Sequence, residues 1–304
     1  MNLKELFAIV LLCCSLNSYA AEYRAVLSWP AGSLSDTMLR NIAETFNRNT
    51  GDTIVVENLP GAGGIVGTNH WKNQNKAEIY VTTTSALVAD PIMRPEQLTY
   101  TDDDFDLVLN IFTGTGVWVT RPDTNIKRPK DLVTRMPTLI GGYSPYWDLN
   151  AHALARYSNQ PMEIVNYKGA PEVLQGILGK EIDLALVSNG PNVMALVTAG
   201  KLHIVGSTYH NDYTLDGVPL LSVSKYTGVP GFSSFVGLAV KPTLDPAKSA
   251  YLKRELWRAV NTPEMRALIE SSGGIADSTN NQQQIWQQIV SLRERVKKAY
   301  VKNK

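Results

Sequence analysis

From Tyr23 onward the chain alternates short apolar runs rich in Val and Ile with longer amphipathic stretches, and this alternation constrains the fold more than any other feature. Runs at 23–29, 53–58 and 78–83 read as strands, with helices between them at 33–48 and 64–73. The pattern resumes with strands at 138–142, 162–167, 183–188 and 203–207, separated by helices at 149–158, 171–178 and 191–199. Strands separated by helices form largely parallel, helix-covered sheets. Three helices finish the chain, near 246–260, 263–271 and 281–298, the last with Ile285, Ile289, Leu292 and Val296 on one face.

Two such units fit the length, since 304 residues with 44% apolar content suffice for two domains of roughly 150 residues each. Two stretches nearly free of charge, 107–120 and 226–240, flank the second unit. Each reads either as a segment crossing between units or as an interior strand of one large sheet. The formal charge of +1 includes no basic or acidic tail, which gives no support to a nucleic-acid footprint or a polybasic membrane anchor.

Residues 1–20 have the form of a secretory signal peptide: Lys4, an apolar stretch from Leu6 to Cys14, and small residues around Ala20. Nine apolar residues fall short of the roughly 20 needed to span a bilayer. Leu12, where a small residue should precede a lipidated cysteine, argues against a lipoprotein site at Cys13. Both cysteines, Cys13 and Cys14, lie in this segment, so the exported chain has no disulfide or thiol chemistry.

The loops after the strands carry the polar groups. Asn58–Gly67 follows a strand and opens a helix, yet Val66 stands where a dinucleotide fingerprint needs its third glycine, and a P-loop would need a Lys. What survives is the shared physics: close backbone approach and free N–H groups at a helix start, or else an ordinary tight turn. Trp29–Asp36 is a second such turn, in which Asp36 reads as a cap, and Thr82–Ser85 ends the third strand in hydroxyls. In the second unit 141–146, 167–170 and 188–190 occupy the same places. Two rims of uncharged donors at strand C-termini imply a cleft suited to a carboxylate.

Catalytic constellations are poorly represented. His203, His210 and Asp212 match no metal-ligand spacing, and Ser144 lacks the second glycine of a nucleophile elbow, with Pro145 expected to disturb the following helix.

The ordered set of motifs resembles the extracytoplasmic solute receptors of tripartite tricarboxylate transporters, the Bug or TctC-like proteins. The matching segments are 29–40, the stretch VVENLPGAGGIVG at 55–67, and VNYKGAPEVLQGILGKEID at 165–183, with support at 199–202, 217–219 and 263–266. The resemblance implies a type II periplasmic-binding-protein fold, an α/β architecture of two lobes joined by two crossing hinge segments. It favours 107–120 and 226–240 as those hinges, with lobe 1 formed by 21–118 and 228–304 and lobe 2 by 119–227.

It further implies a periplasmic, monomeric, non-enzymatic receptor without cofactor or metal, which captures a small organic acid and delivers it to membrane permease subunits. Carried over by position, the ligand-binding residues are Ala31, Gly32, Ser33, Ser35, Asp36, Thr84 and Ser85 on one lobe, and Ser144, Tyr146, Lys168, Ser188 and Asn189 on the other. Tyr143, Tyr146 and Trp147 replace a small-residue stretch of many relatives, so bulky rings either line the pocket or join the core. Leu34 replaces a glycine of the family's first loop. A ligand sensor feeding a two-component system would use the same cleft; a secreted serine hydrolase using Ser144 with a histidine is the reading from another class.

Overall fold

The computed structural model describes residues 20–135, 137, 139–277 and 279–300; the segment read as a signal peptide lies outside them up to residue 19. The strands are β1 (Glu22–Leu27), β2 (Thr53–Asn58), β3 (Ile79–Thr83), β4 (Asp106–Gly114), β5 (Gly116–Thr120), β6 (Leu139–Gly142), β7 (Glu163–Asn166), β8 (Leu184–Ser188), β9 (His203–Ser207), β10 (Tyr213–Leu215), β11 (Val218–Leu220), β12 (Ser234–Val240) and β13 (Gly274–Ala276). One sheet has the order β13-β4-β12-β3-β1-β2, a second β7-β6-β8-β5-β9, and β10 and β11 form a separate hairpin.

Each sheet is parallel along one side and antiparallel along the other. In the first, β1 runs parallel to β2 and β3, while β12 is antiparallel to β3 and β4 and β13 is antiparallel to β4. In the second, β6 is parallel to β7 and β8, while β5 is antiparallel to β8 and β9. The chain changes sheets just before the antiparallel strands β5 and β12. The chain leaves the first sheet at Gly114 and enters the second at Gly116, with only Thr115 between, and β12 brings it back.

The helices follow their local signals. The Leu34–Thr50 helix is capped by Ser33, whose hydroxyl accepts from the Asp36 N–H, and ends at left-handed Gly51. Its Met38, Leu39, Ile42 and Phe46 recur at helical spacing and are buried against the first sheet. The last helix, Gln282–Tyr300, buries the four apolar residues its periodicity marks. The helix expected from residue 149 begins at Pro145 instead. Proline at the first helical position loses no hydrogen bond, because that N–H would be unpaired in any helix.

One apolar core spans both sheets. Trp118, Tyr146, Trp147, Leu154 and Leu184 from the second sheet and its helices join Val26, Tyr80, Leu87 and Ala239 from the first, closed by the last helix. That helix is fixed near its middle and at its C-terminal end. Arg293 grips Asp102 through two bonds of 2.5 and 2.6 Å, and Arg156 donates to the Tyr300 carbonyl at 2.7 Å.

Candidate functional site

The C-terminal ends of β3 and β6 face each other, and the residues just beyond them touch. Ser85 Oγ and Ser144 Oγ are 3.1 Å apart, both buried. Beside them the turn after β2 meets the start of the Pro145–Ser158 helix. Gly63 has a φ of 65°, and a Cβ there would stand 2.6 Å from Pro145 Cδ. Gly63 therefore does more than shape a local turn, because its backbone passes close to the opposite sheet's helix.

Ser144 occupies the N-cap position of its helix, yet its hydroxyl does not cap. It turns to Ser85, and the N–H groups of the first turn keep no side-chain partner. The helices Ala170–Leu178 and Pro191–Thr198 start likewise, at Gly169 and Gly190 with no side-chain cap. All three begin just beyond β6, β7 and β8. Away from this edge, Ser222, Asp245 and Thr262 each accept backbone N–H bonds at their helix starts. One edge of the second sheet thus carries uncapped, partially positive helix ends, and the one at Pro145 meets the first sheet's side.

The Trp29–Asp36 loop is held from within. Asp36 accepts from Gly32 N at 2.8 Å, Arg40 Nε at 3.1 Å and Asn58 Nδ2 at 2.9 Å. Burial pushes its pKa up, but the bonds from Arg40, Gly32 and Asn58 outweigh burial and hold it below the ordinary carboxylate value. Ala31 and Gly32 are exposed, and Ser33 and Ser35 are half-buried, with the Ser33 hydroxyl used as a cap. Thr84 Oγ1 accepts from Phe235 N at 2.6 Å, which pins the end of β3 to β12.

On the opposite side, Tyr146 and Trp147 are core residues, 1% and 6% exposed. The Tyr146 hydroxyl donates to the Ser233 carbonyl at 2.5 Å, and burial holds its pKa well above the usual phenol value. Ser188 Oγ lies 3.1 Å from the Tyr143 hydroxyl. Asn189 is buried and donates to Thr115 Oγ1, the Tyr213 hydroxyl and the Gly273 carbonyl at 2.9, 2.9 and 3.0 Å. Lys168 is exposed, and its backbone N–H binds Glu172. The structure thus brings Ser85 and Ser144 together, sets the Trp29–Asp36 loop against Gly64, and leaves Lys168 outside this cluster.

Three charged residues at the same seam escaped the sequence reading. Arg94 Nη2 pairs with Asp90 Oδ1 at 2.5 Å, and a Cβ on Gly63 would lie 3.2 Å from the same nitrogen. Asp90 is fully buried, and burial raises its pKa to about 6 against the opposing pull of Arg94. Asp148, one turn into the helix that starts at Pro145, is raised to about 7 by burial, again opposed by Arg94. Lone charges 54 positions apart give no local motif; an arginine and an aspartate each following a strand C-terminus by several residues were the available signal.

Among the described residues the Ser144 hydroxyl meets Ser85 rather than a histidine. Among the described residues the histidines are engaged elsewhere: His203 with the Lys127 carbonyl at 2.7 Å, His70 near Glu57, His152 against the Tyr300 ring and His210 against Tyr209.

A family model described as the tripartite tricarboxylate transporter family receptor matches residues 38–303. Protein BugT of Bordetella pertussis is 24% identical over 296 residues, covering 89% of this chain and 88% of its own. A UPF0065 protein from the tcbD-tcbE intergenic region of Pseudomonas sp. strain P51 is 22% identical over 288 residues, covering 87% and 84%. Among solved structures, periplasmic binding protein BugD superposes with a TM-score of 0.78 at 19% identity, covering 92% of this chain and 97% of its own. Rpa4515 of R. palustris with adipate reaches 0.80 at 15% identity, covering 93% and 98%. MatC of Rhodopseudomonas palustris with malate reaches 0.77 at 17% identity, covering 93% and 99%. Identities this low speak to the fold alone, which is that of the type II periplasmic binding proteins. With the family model spanning most of the sequence, the chain belongs to the tripartite tricarboxylate transporter family of receptors.

Proposed function

We propose that this chain is a periplasmic receptor that closes on a small organic acid between its two sheets and passes it to the permease subunits of a tripartite tricarboxylate-type transporter, with no chemical conversion. The Ser85–Ser144 contact carries the reading, since it sets two strand C-terminal edges face to face with an uncapped helix start between them. A carboxylate accepts several hydrogen bonds at once, and backbone N–H groups with two hydroxyls supply them without a fixed positive charge. Two structural relatives are described with adipate and malate, both carboxylates.

In this reading the two sheets are the cores of two lobes, with the first boundary at Thr115 rather than at residue 118 because β5 pairs within the second sheet, and the lobes rotate about Thr115 and the stretch before β12. Ligand affinity supplies the bias toward the closed arrangement. A thermal-shift screen of the protein purified from the periplasm, against C2 to C8 carboxylates and aromatic acids, tests it. An acid at about 100 times its Kd adds roughly 2.7 kcal/mol of stability. Stabilisation by a sugar or a cation with none by any acid contradicts the proposal.

A further inference from the structure

Buried polar atoms lacking partners gather at the seam. Among the described residues, Asp148 Oδ1, Asp90 Oδ2 and Arg94 Nε are buried without a hydrogen-bond partner. Two carboxylates therefore share one guanidinium, and that guanidinium is already paired with Asp90. Such an arrangement is short of donors and of positive charge, and a buried carboxylate without either is costly.

Asp148 is the more accessible member: the residue is half-buried, although its Oδ1 is covered, whereas Asp90 is fully enclosed. Asp148 lies four residues beyond Ser144, whose carbonyl accepts its N–H at 3.0 Å, and residues at this spacing share a helix face. Its Oδ1 sits over Gly142 at the end of β6. The groups around it leave it unneutralised. From the facing segment, Arg94 is the cation that acts on it. From the last helix, Arg293 is bound to Asp102 and the Leu87 carbonyl, and Arg295 acts on Tyr146. From the Pro129–Thr134 helix, Asp131 accepts the N–H groups of Lys127 and Arg128. On its own sheet the Tyr143 phenol, itself shifted upward, contributes no charge.

We propose that Asp148 determines the specificity of the interlobe site and that its partner is a protonated amine, so the ligand is an amino-bearing carboxylate rather than a simple organic anion. This rests on the receptor reading above. The ligand carboxylate takes the uncapped N–H groups and the two serine hydroxyls, and its ammonium supplies Asp148 with the charge and donors missing at the seam. Binding then favours the ionised form of Asp148, whose pKa falls from its raised value, so amine binding releases a proton near neutral pH.

The test is isothermal titration calorimetry on the purified protein with matched pairs: aspartate and succinate, glutamate and glutarate, 4-aminobutyrate and butyrate. The expected result is that at least one amino acid binds about tenfold or more tightly than its des-amino partner. Titrations in buffers of differing ionisation enthalpy should show proton release for that amino acid. Asp148→Asn, of the same shape, should bring the ratio close to one while its melting point does not fall. Should Asp148→Asn fail to fold, the wild-type ratio and proton count decide alone. Des-amino acids that bind as tightly as their partners, proton uptake on binding, or a ratio unchanged in Asp148→Asn would overturn the role of Asp148 and leave the receptor reading intact. If no member of any pair binds, and no acid in the thermal screen stabilises, the receptor reading falls and this proposal with it.

Discussion

The side-chain amide of Asn189 donates to the carbonyl of Gly273 at 3.0 Å, tying the end of β8 in the second sheet to the turn before β13 in the first. The same nitrogen reaches Thr115 Oγ1, in the single-residue passage between sheets, and the Tyr213 hydroxyl. An asparagine expected to bind ligand thus spends its donors on the crossing itself. Asn189→Ala should cost about 1–3 kcal/mol, since it leaves a buried carbonyl and a hydroxyl pair short of a donor. Urea unfolding measures it; a loss under about 0.5 kcal/mol would show that the network is not structural.

Gly63 separates affinity from stability. Alanine at its left-handed φ costs about 1 kcal/mol, a modest local strain. Its Cβ, however, would stand 2.6 Å from Pro145 Cδ and hold the two edges apart. Gly63→Ala should therefore lower affinity for an acid found in the screen by about tenfold or more, far beyond its effect on melting. Equal affinity in the variant would mean that the two edges need not approach for binding.

The raised pKa of Asp148 sets a pH signature. With about 7 in the folded chain against 3.8 for the ordinary group, the folded state holds the extra proton between these values, so this residue lowers stability as pH rises through that window. His152 works in the opposite direction: burial and Arg156 lower its pKa, so acid favours the unfolded chain near its ordinary value of 6.5. Comparing variants cancels that common contribution. Without ligand, Asp148→Asn should melt above the wild type at pH 8, with the gap narrowing as pH falls through the window and closing only near about pH 4. A gap that widens toward acid would contradict the assignment.

How much of this could be read from the chain follows from the range of each signal. Strand–helix alternation is local, so β2, β9 and the helices at 246–260 and 263–271 match their expected bounds. The three-residue strands β10, β11 and β13 are too short to carry a period, and Ser85–Met93 folds as short helical turns where no helix start is written. At the site, Ser85 and Ser144 were legible because each follows a strand as a hydroxyl. Tyr146 belongs to the core for a reason invisible locally: its hydroxyl finds a carbonyl 87 residues away. The charges of Arg94 and Asp148 become neighbours only after two sheets face each other.

The central claim is that the seam between the two sheets is where this receptor holds a carboxylate. A crystal structure with the most stabilising acid from the screen tests it most directly. The account predicts a ligand carboxylate within hydrogen-bond distance of Ser85 Oγ, Ser144 Oγ and the first-turn N–H groups of the Pro145–Ser158 helix. A ligand bound elsewhere, for example in the 410 Å³ cavity beside Asn261, Thr262 and Arg266, with the seam unoccupied, would contradict it.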